Sequence, residues 1–200
     1  MENRKKFNEQ FAQYESVNIP LVIENPLNEL SKRYDRCCQG YGAMCPSLAF
    51  IGSIPSNFDM DKGKPFSDKI GQSLRSIIEY LQSKKIKHYY YTNFFWYNPE
   101  VITLELIARE KQRLTDELTI ISPLALVIIG EQTAEYFGKF SDLRLQRSLI
   151  QLNTFYYSYF LTDLRKSFFD KDKYKTVIKE DIDFIVNDLK HLPRSNGYFL

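Results

Sequence analysis

The side chains best suited to chemistry are concentrated in four short stretches of this 200-residue sequence. Two carboxylates, Asp59 and Asp61, lie in the stretch 52–66, and a side-chain amide, Asn93, opens the stretch 93–99. The third stretch is 130–132, and the fourth, 156–165, combines tyrosines with a serine and an arginine. Carboxylates can orient water, an amide offers one acceptor and two donors, and a phenol with a pKa near ~10 donates a neutral hydrogen bond. These stretches are therefore the candidate site.

Hydrophobic patterning predicts the elements that carry these stretches. Apolar or β-favouring runs predict strands over residues 48–52, 88–93, 124–130 and near 150–156. Amphipathic spacing predicts helices over residues 5–14, 67–82, 100–118, 132–137 and 173–190, the second of them capped by Ser67. Strands that alternate with helices indicate an α/β fold, three αβα layers around a central, mainly parallel four-stranded sheet. Ligands bind off the carboxyl ends of such strands, where the four stretches fall.

Composition bounds the class of protein. With 44% hydrophobic and 26% charged residues, the chain is expected to form one domain over 1–200, including a helix and an irregular segment in 1–46. Three cysteines and no signal peptide after Met1 predict a reducing, cytoplasmic setting and exclude a disulfide-built fold. No apolar run approaches the ~20 residues of a membrane span. We expect a monomer, and a net charge of +2 neither requires nor excludes a nucleic-acid partner.

The first stretch resembles a motif of a known enzyme family. It reads Gly52-Ser-Ile-Pro-Ser-Asn-Phe-Asp-Met-Asp-Lys-Gly-Lys-Pro-Phe66 and is followed by Gly71-Gln72-Ser73-Leu74. This is similar to motif 1 of the family 4 uracil-DNA glycosylases of bacteria and archaea, with the same interval from the first glycine to the phenylalanine.

Three later segments resemble the same family in the same order. Tyr91-Thr92-Asn93 with Asn98-Pro99 looks like its Thr-Asn segment, and residues 121–134 are similar to a strand and helix of the family. Residues 154–161 lie where the family has Tyr-His-Pro-Ser-Tyr-Leu-Leu. The similarity covers about residues 34–190, and it implies a uracil-DNA glycosylase fold that extrudes a base from DNA and removes it.

The sequence also departs from the family pattern. Ser53 stands in place of the motif 1 Glu, and Tyr156-Tyr157 stand in place of the motif 2 His-Pro. Cys37, Cys38 and Cys45 lie where the first cluster cysteines of the family occur, but the position of a later cysteine is Tyr97. Because a [4Fe-4S] cluster takes four thiolates, three cysteines predict that the protein holds no cluster, and we expect no metal or other cofactor.

The resemblance implies a base pocket. Phe66 corresponds to the ring that stacks on the base and Asn93 to the amide that reads the base edge, with Ile54 beside them. Each of the first two has an ordinary alternative, since Phe66 can pack in the core and Asn93 can be a turn residue. The 15% aromatic content therefore has two explanations, core filling and stacking on a flat ligand.

Catalytic groups follow from the same resemblance. Asp59, preferred over Asp61, is expected to orient water or oppose positive charge on the sugar, with a solvated loop acid as the alternative. Ser53 occupies the Glu position, and Tyr156, or its neighbour Tyr157, is expected to donate a hydrogen bond to the departing base.

DNA contacts are predicted for groups around this pocket. Ser56, Lys64, Ser158 and Arg165 are expected to contact phosphates, which position a duplex and make binding sensitive to salt.

Two functions are compatible with these residues. The first is a DNA glycosylase for uracil or a modified pyrimidine, including a hypermodified base of viral DNA such as glucosylated hydroxymethylcytosine, in antiviral defence. The second is a binding module for DNA or a modified base that has lost catalysis with the motif 2 His. A nucleotide-binding α/β enzyme ranks last, because the sequence has no Gly-rich phosphate signature.

Overall fold

A mixed sheet of six strands forms the centre of the structure. The computed structural model describes residues 27–138 and 144–192, so the helix predicted over residues 5–14 lies outside the described residues. The strands are β1 (Tyr41–Gly42), β2 (Leu48–Gly52), β3 (Tyr89–Asn93), β4 (Ala125–Ile129), β5 (Arg147–Gln151) and β6 (Phe155–Leu161). Their spatial order is β1-β3-β2-β4-β6-β5.

The α/β class is confirmed, but the prediction of a four-stranded, mainly parallel sheet is wrong. The inner strands β3, β2, β4 and β6 are parallel to one another, while β1 and β5 add antiparallel strands at the two edges. Both edge strands escape sequence patterning, because β1 has two residues and β5 is largely exposed and polar. An apolar run marks only strands that are buried on both faces.

Helices cover both faces of the sheet. They are α1 (Asn28–Ser31), α2 (Asn57–Lys62), α3 (Lys69–Ser83), α4 (Leu104–Ile121), α5 (Glu131–Tyr136), a 3-10 helix (Leu164–Phe168) and α6 (Lys171–Leu189). No helix within residues 27–138 and 144–192 is long and apolar enough to cross a membrane.

Alternation along the buried strands divides the apolar residues into two cores. Ala49 and Ile51 of β2 face the core that contains α4, whereas Leu48 and Phe50 face the core that contains α3 and α6. Successive strand residues point to opposite faces, so a strand buried on both sides must be apolar throughout. The three-layer αβα arrangement is therefore confirmed.

Two local predictions need correction. The N-cap of α3 is Asp68 rather than Ser67, since the Asp68 carboxylate accepts from the backbone N–H groups of Ile70 and Gly71. The strand predicted near residues 150–156 covers the end of β5, a tight turn, and the start of β6, which pair as an antiparallel hairpin. This shift moves Tyr156 from a strand end to a strand beginning.

Candidate functional site

The carboxyl ends of the four parallel strands form one edge of the sheet. Asn93 is paired in register with Gly52, and Ile129 is paired with Leu161. The loops that leave these positions carry residues 53–56, 94–97, 130–132 and 162–165. Three of the four predicted stretches thus begin at this edge, as the fold requires.

Phe66 and Asn93 converge on Gly52. A Cβ atom on Gly52 would clash with the Oδ1 atom of Asn93 and would lie 2.9 Å from Cζ of Phe66. Only glycine therefore permits this approach, and it brings an aromatic ring and a side-chain amide to the same point at the end of β2. The structure brings together the two residues predicted to hold a base.

The backbone of Phe66 is held in an uncommon conformation. Its φ of 56° lies in the left-handed region, which is strained for a bulky side chain and costs roughly 1–3 kcal/mol. Gly71, in the first turn of α3, packs directly on the Phe66 backbone, where a Cβ atom would clash with the carbonyl group. Close packing with α3 thus maintains the strained geometry, and the ring stays over Gly52.

Asn93 is buried but not fully hydrogen-bonded. Its exposed fraction is 3%, and its Nδ2 atom has no hydrogen-bond partner among the described residues. Leaving a buried donor unpaired costs about 1–3 kcal/mol. An amide that keeps a free donor next to an aromatic ring is arranged to bind an acceptor on a flat ligand.

Ser53 and Ile54 lie between the ends of β2 and β4. The Ser53 hydroxyl donates to Oε1 of Gln132 at 3.1 Å, so Gln132 of the predicted stretch 130–132, to which sequence reasoning gave no individual role, joins the edge. Ile54 is half-buried and packs against the core on the α4 side. Both residues stay near the predicted pocket.

Asp59 has a structural role in this geometry. Its carboxylate is 4% exposed and accepts from the backbone N–H groups of Ser56 and Ser67 at 2.9 and 2.6 Å. The Ser56 hydroxyl accepts from the Asp59 N–H in return, which completes a capping box at the start of α2. The Asp59 carboxylate and the Ser56 backbone N–H group are thus already bonded to each other, and the predicted roles of Asp59 in catalysis and of Ser56 in contacting phosphate stay predictions.

Tyr156 and Ser158 are not brought to the site. Because β6 runs parallel to β4, Tyr156 lies at the amino end of β6, about 17 Å from its carboxyl end at ~3.3 Å per residue. Tyr156 is buried, and Ser158 is hydrogen-bonded to Ser148 across the hairpin at 2.8 Å. The structure does not bring these two residues to the carboxyl edge, and their roles in donating to the base and contacting DNA stay predictions.

A different carboxylate, Asp163, occupies the carboxyl end of β6. A Cβ atom on Gly130 would lie 3.4 Å from its Oδ2 atom, so Asp163 faces the end of β4. Arg165 donates to both carboxylate oxygens, from Nε at 3.0 and 2.9 Å and from Nη2 to Oδ2 at 2.6 Å. Burial alone would raise the pKa of Asp163, but the hydrogen bonds and charge of Arg165 outweigh it and hold the pKa below its ordinary value. The Asp163 carboxylate is therefore ionised at neutral pH.

Two positive charges, Arg165 and Lys166, act on this carboxylate. Lys166 pairs with Glu131 in the first turn of α5, and Arg165 keeps about half of its side chain exposed. Lys64, another predicted phosphate contact, has its Nζ 4.1 Å from the ring centroid of Tyr41 on β1. Arg165 is thus the predicted DNA contact that lies directly at the edge.

The cysteines do not fit an iron–sulfur cluster. The chain has three cysteines, one fewer than the four thiolates a cluster takes. Among residues 27–138 and 144–192, no group of three or more His, Cys, Asp or Glu is placed to hold a metal ion. Cys38 is buried, and burial, with a smaller contribution from Asp59, raises the pKa of its thiol to about 12. Cys38 is therefore a neutral core thiol.

The αβα sandwich therefore carries at its strand ends the ring and the buried amide that the sequence resemblance predicted for a base pocket, together with a carboxylate. The family model described as the Uracil DNA glycosylase superfamily matches residues 39–183, which contain all of these groups. The chain therefore belongs to the uracil-DNA glycosylase superfamily, as its motifs predicted. That membership supports a glycosylase-type enzyme and a DNA partner. No curated protein matches the sequence.

Proposed function

We propose that this protein is a DNA glycosylase that hydrolyses the N-glycosidic bond of a flipped-out uracil or modified pyrimidine. The observation that carries this proposal is the convergence of Phe66 and Asn93 on Gly52, with the Nδ2 atom of Asn93 left without a partner among the described residues. A ring beside a buried amide suits a planar base with hydrogen-bonding edges.

The reaction breaks the bond between C1′ of the deoxyribose and the ring nitrogen of the base. The bonding electron pair leaves with the base, and a water oxygen bonds to C1′. One water proton goes to the departing base, so the products are a free base and an abasic sugar. The protein must therefore stabilise a positive sugar and a negative base in the transition state.

Asn93 and Asp163 can meet these two needs, Asn93 with a neutral hydrogen-bond donor and Asp163 with a negative charge. The free amide donor of Asn93 can bond a base oxygen as negative charge develops on it. Asp163, kept ionised by Arg165, can oppose positive charge on the sugar or orient the water. We assign to Asp163 the role that sequence reasoning gave to Asp59.

The segment after β6 supplies a surface for DNA. Arg165 and Lys166 can contact phosphates, and Phe168 and Phe169 follow them with exposed fractions of 52% and 89%. Exposed apolar side chains beside basic ones can insert between base steps when DNA is deformed. This segment therefore fits a duplex from which a base has been extruded.

Ser53 favours a substrate larger than uracil. Ser53 stands where the family 4 uracil-DNA glycosylases have Glu, and the shorter serine side chain leaves more space in the pocket next to Gly52. A modified pyrimidine, including a glucosylated hydroxymethylcytosine of viral DNA, would use that space. A role in antiviral defence would follow from such a substrate.

The decisive experiment is mass-spectrometric detection of free base. The protein is incubated with duplexes that contain uracil, hydroxymethylcytosine or glucosylated hydroxymethylcytosine. We expect one base to be released by the natural chain and release to fall at least about 100-fold in Asn93→Ala and Asp163→Asn. Asp116→Asn is the matched control, since Asp116 lies late in α4 and bonds Gln112. Full activity in both site variants would refute the assignment.

A binding module is the second candidate. It is favoured by the absence of histidine from the described residues of this edge, since His88 precedes β3 and His191 follows α6. Tight binding to one modified duplex without release of any base would decide for the module and against the glycosylase.

A further inference from the structure

A group of charged side chains on α4 is buried in the core beside the site. The side chains of Glu110, Arg113 and Glu117 are at most 1% exposed. Burying ions in this way costs several kcal/mol each unless the geometry and hydrogen bonds are excellent. An apolar set would fill the space as well, so the charges call for a further explanation.

Arg113 contacts the backbone that carries Asn93. Its Nη2 atom donates to the carbonyl oxygen of Asn93 at 3.0 Å and to that of Phe94 at 2.6 Å. Its guanidinium also lies 4.5 Å from the ring centroid of Trp96. Arg113 thus contacts the last residue of β3 and two residues of the loop that follows it at the site.

The same loop is held from the other side by β2. The backbone N–H groups of Phe94 and Phe95 donate to the carbonyl oxygens of Gly52 and Ser53 at 2.7 and 3.0 Å. The N–H groups of the loop therefore donate to the end of β2, while Arg113 donates to the carbonyl oxygens of Asn93 and Phe94. Between these two sets of bonds, the Cα atom of Asn93 has little freedom to move.

The carboxylates orient Arg113, and Glu117 also accepts from the hydroxyl of Thr92 on β3 at 3.2 Å. Glu110 accepts from Nε of Arg113 at 3.2 Å and from the hydroxyl of Tyr34 at 2.9 Å. Glu117 accepts from Nη1 of Arg113 and from the Tyr90 hydroxyl, the latter at 2.8 Å. Each nitrogen of the guanidinium has an acceptor, so its direction is fixed. A lysine could not reproduce this planar fork.

We propose that Arg113 is a positioning residue for Asn93, acting through the carbonyl oxygens of Asn93 and Phe94. This inference rests on the proposed function, in which Asn93 reads the base. A displacement of about 1 Å in a group that binds the reacting molecule can cost 100-fold in rate. Arg113 itself does not touch the substrate in this arrangement.

The test compares Arg113→Lys with Leu118→Ala, which removes a buried side chain from the same helix without touching either carbonyl. Both variants are assayed where circular dichroism shows them folded. We expect Arg113→Lys to lower the single-turnover rate of base release about 10- to 100-fold, with an unchanged Kd for DNA. Leu118→Ala should retain the natural rate. Equal loss in both variants would overturn the proposal.

A double-mutant cycle tests the route of action. In the Asn93→Ala background, Arg113→Lys should have no further effect on the rate, because the group that it positions is gone. Additive losses would show that Arg113 acts elsewhere and would overturn the proposal.

Hydrogen exchange separates this inference from the proposed function. Arg113→Lys should accelerate exchange of the Phe94 and Phe95 amides relative to the rest of β3, and Leu118→Ala should not. Unchanged exchange would overturn the positioning role even if the natural protein releases a base. A natural chain that releases no base would instead refute the glycosylase, while the exchange result would still decide whether Arg113 anchors the loop.

A second variant covers the case in which Arg113→Lys does not fold. The second variant replaces the whole set with apolar residues, as Glu110→Met, Arg113→Leu and Glu117→Leu. It removes the three buried charges of this set, a kind of change that is often neutral or stabilising in other proteins. The same loss of rate and the same faster exchange are expected. Natural values of both would overturn the proposal.

Discussion

Gly52 and Asn93 are paired neighbours on adjacent strands, and a Cβ atom on Gly52 would clash with the Asn93 Oδ1 atom. The ring of Phe66 lies next to the same position, 2.9 Å from it at Cζ. We therefore expect Gly52→Ala to displace both base-binding residues and to lower base release at least about 100-fold. Gly63→Ala is the matched control, because a Cβ atom added to Gly63 would meet no other atom within 4 Å. Similar activity in the two variants would contradict the site.

Asp59 is predicted to stabilise the protein rather than to catalyse. Asp59→Ala removes the acceptor for the N–H groups of Ser56 and Ser67, and losing a capping interaction costs about 0.5–2 kcal/mol. Chemical denaturation should show this loss, while the rate of base release per folded molecule stays within about threefold, since the carboxylate is not at the strand ends. A rate loss of 100-fold without destabilisation would restore the sequence-based assignment.

The pH dependence of the reaction should report the Asp163–Arg165 pair. Arg165 lowers the pKa of Asp163 and burial opposes it, so Arg165→Gln should move the acid limb of the single-turnover rate to higher pH. Because the folded pKa is lowered, the pair stabilises the fold above the ordinary value of ~3.9, and this contribution is lost as the pH falls through the folded value. An acid limb that does not move would exclude Asp163 as the titrating group.

Tyr156 and Ser158 should be dispensable for base release. Tyr156→Phe and Ser158→Ala change groups at the amino end and the middle of β6, so only stability should respond, by about 1 kcal/mol for a lost hydrogen bond. Kinetics at saturating DNA provide the measurement. Loss of base release in a folded Tyr156→Phe protein would show that the phenol reaches the substrate.

Phe169 should contribute to binding of duplex DNA. We expect Phe169→Ala to weaken duplex binding several-fold while leaving single-strand binding unchanged, because an inserted ring replaces stacking that exists only in a duplex. Phe155→Ala is the matched control, since Phe155 is also exposed but lies at the amino end of β6. Fluorescence anisotropy gives both affinities. Equal effects of the two variants would contradict this role.

Local patterning was sufficient for the inner part of the fold. Strands β2, β3 and β4 are apolar or β-favouring runs bounded by breakers, and each lies within two residues of its predicted bounds. Patterning failed at the hairpin of β5 and β6, where Arg147–Gln151 alternates between exposed and buried side chains without a clear apolar run. Because the predicted strand ended a few residues too early, Tyr156 was expected at the carboxyl edge of the sheet, whereas it lies at the amino end of β6.

The motif from Gly52 to Phe66 and the residue Asn93 could be recognised from the sequence, because their spacing along the chain is local. Other site properties depend on residues that are distant in sequence. The Asp59 carboxylate bonds to the backbone N–H group of Ser67, which makes it a structural group. Asp163 is proposed for catalysis instead, because it faces Gly130 and pairs with Arg165. Arg113 belongs to none of the sequence motifs. Its hydrogen bonds to the carbonyl oxygens of Asn93 and Phe94 depend on how α4 packs against the sheet. Residue types set which groups can bind a base, but burial and competing hydrogen bonds, which arise only on folding, select the groups that are free to do so.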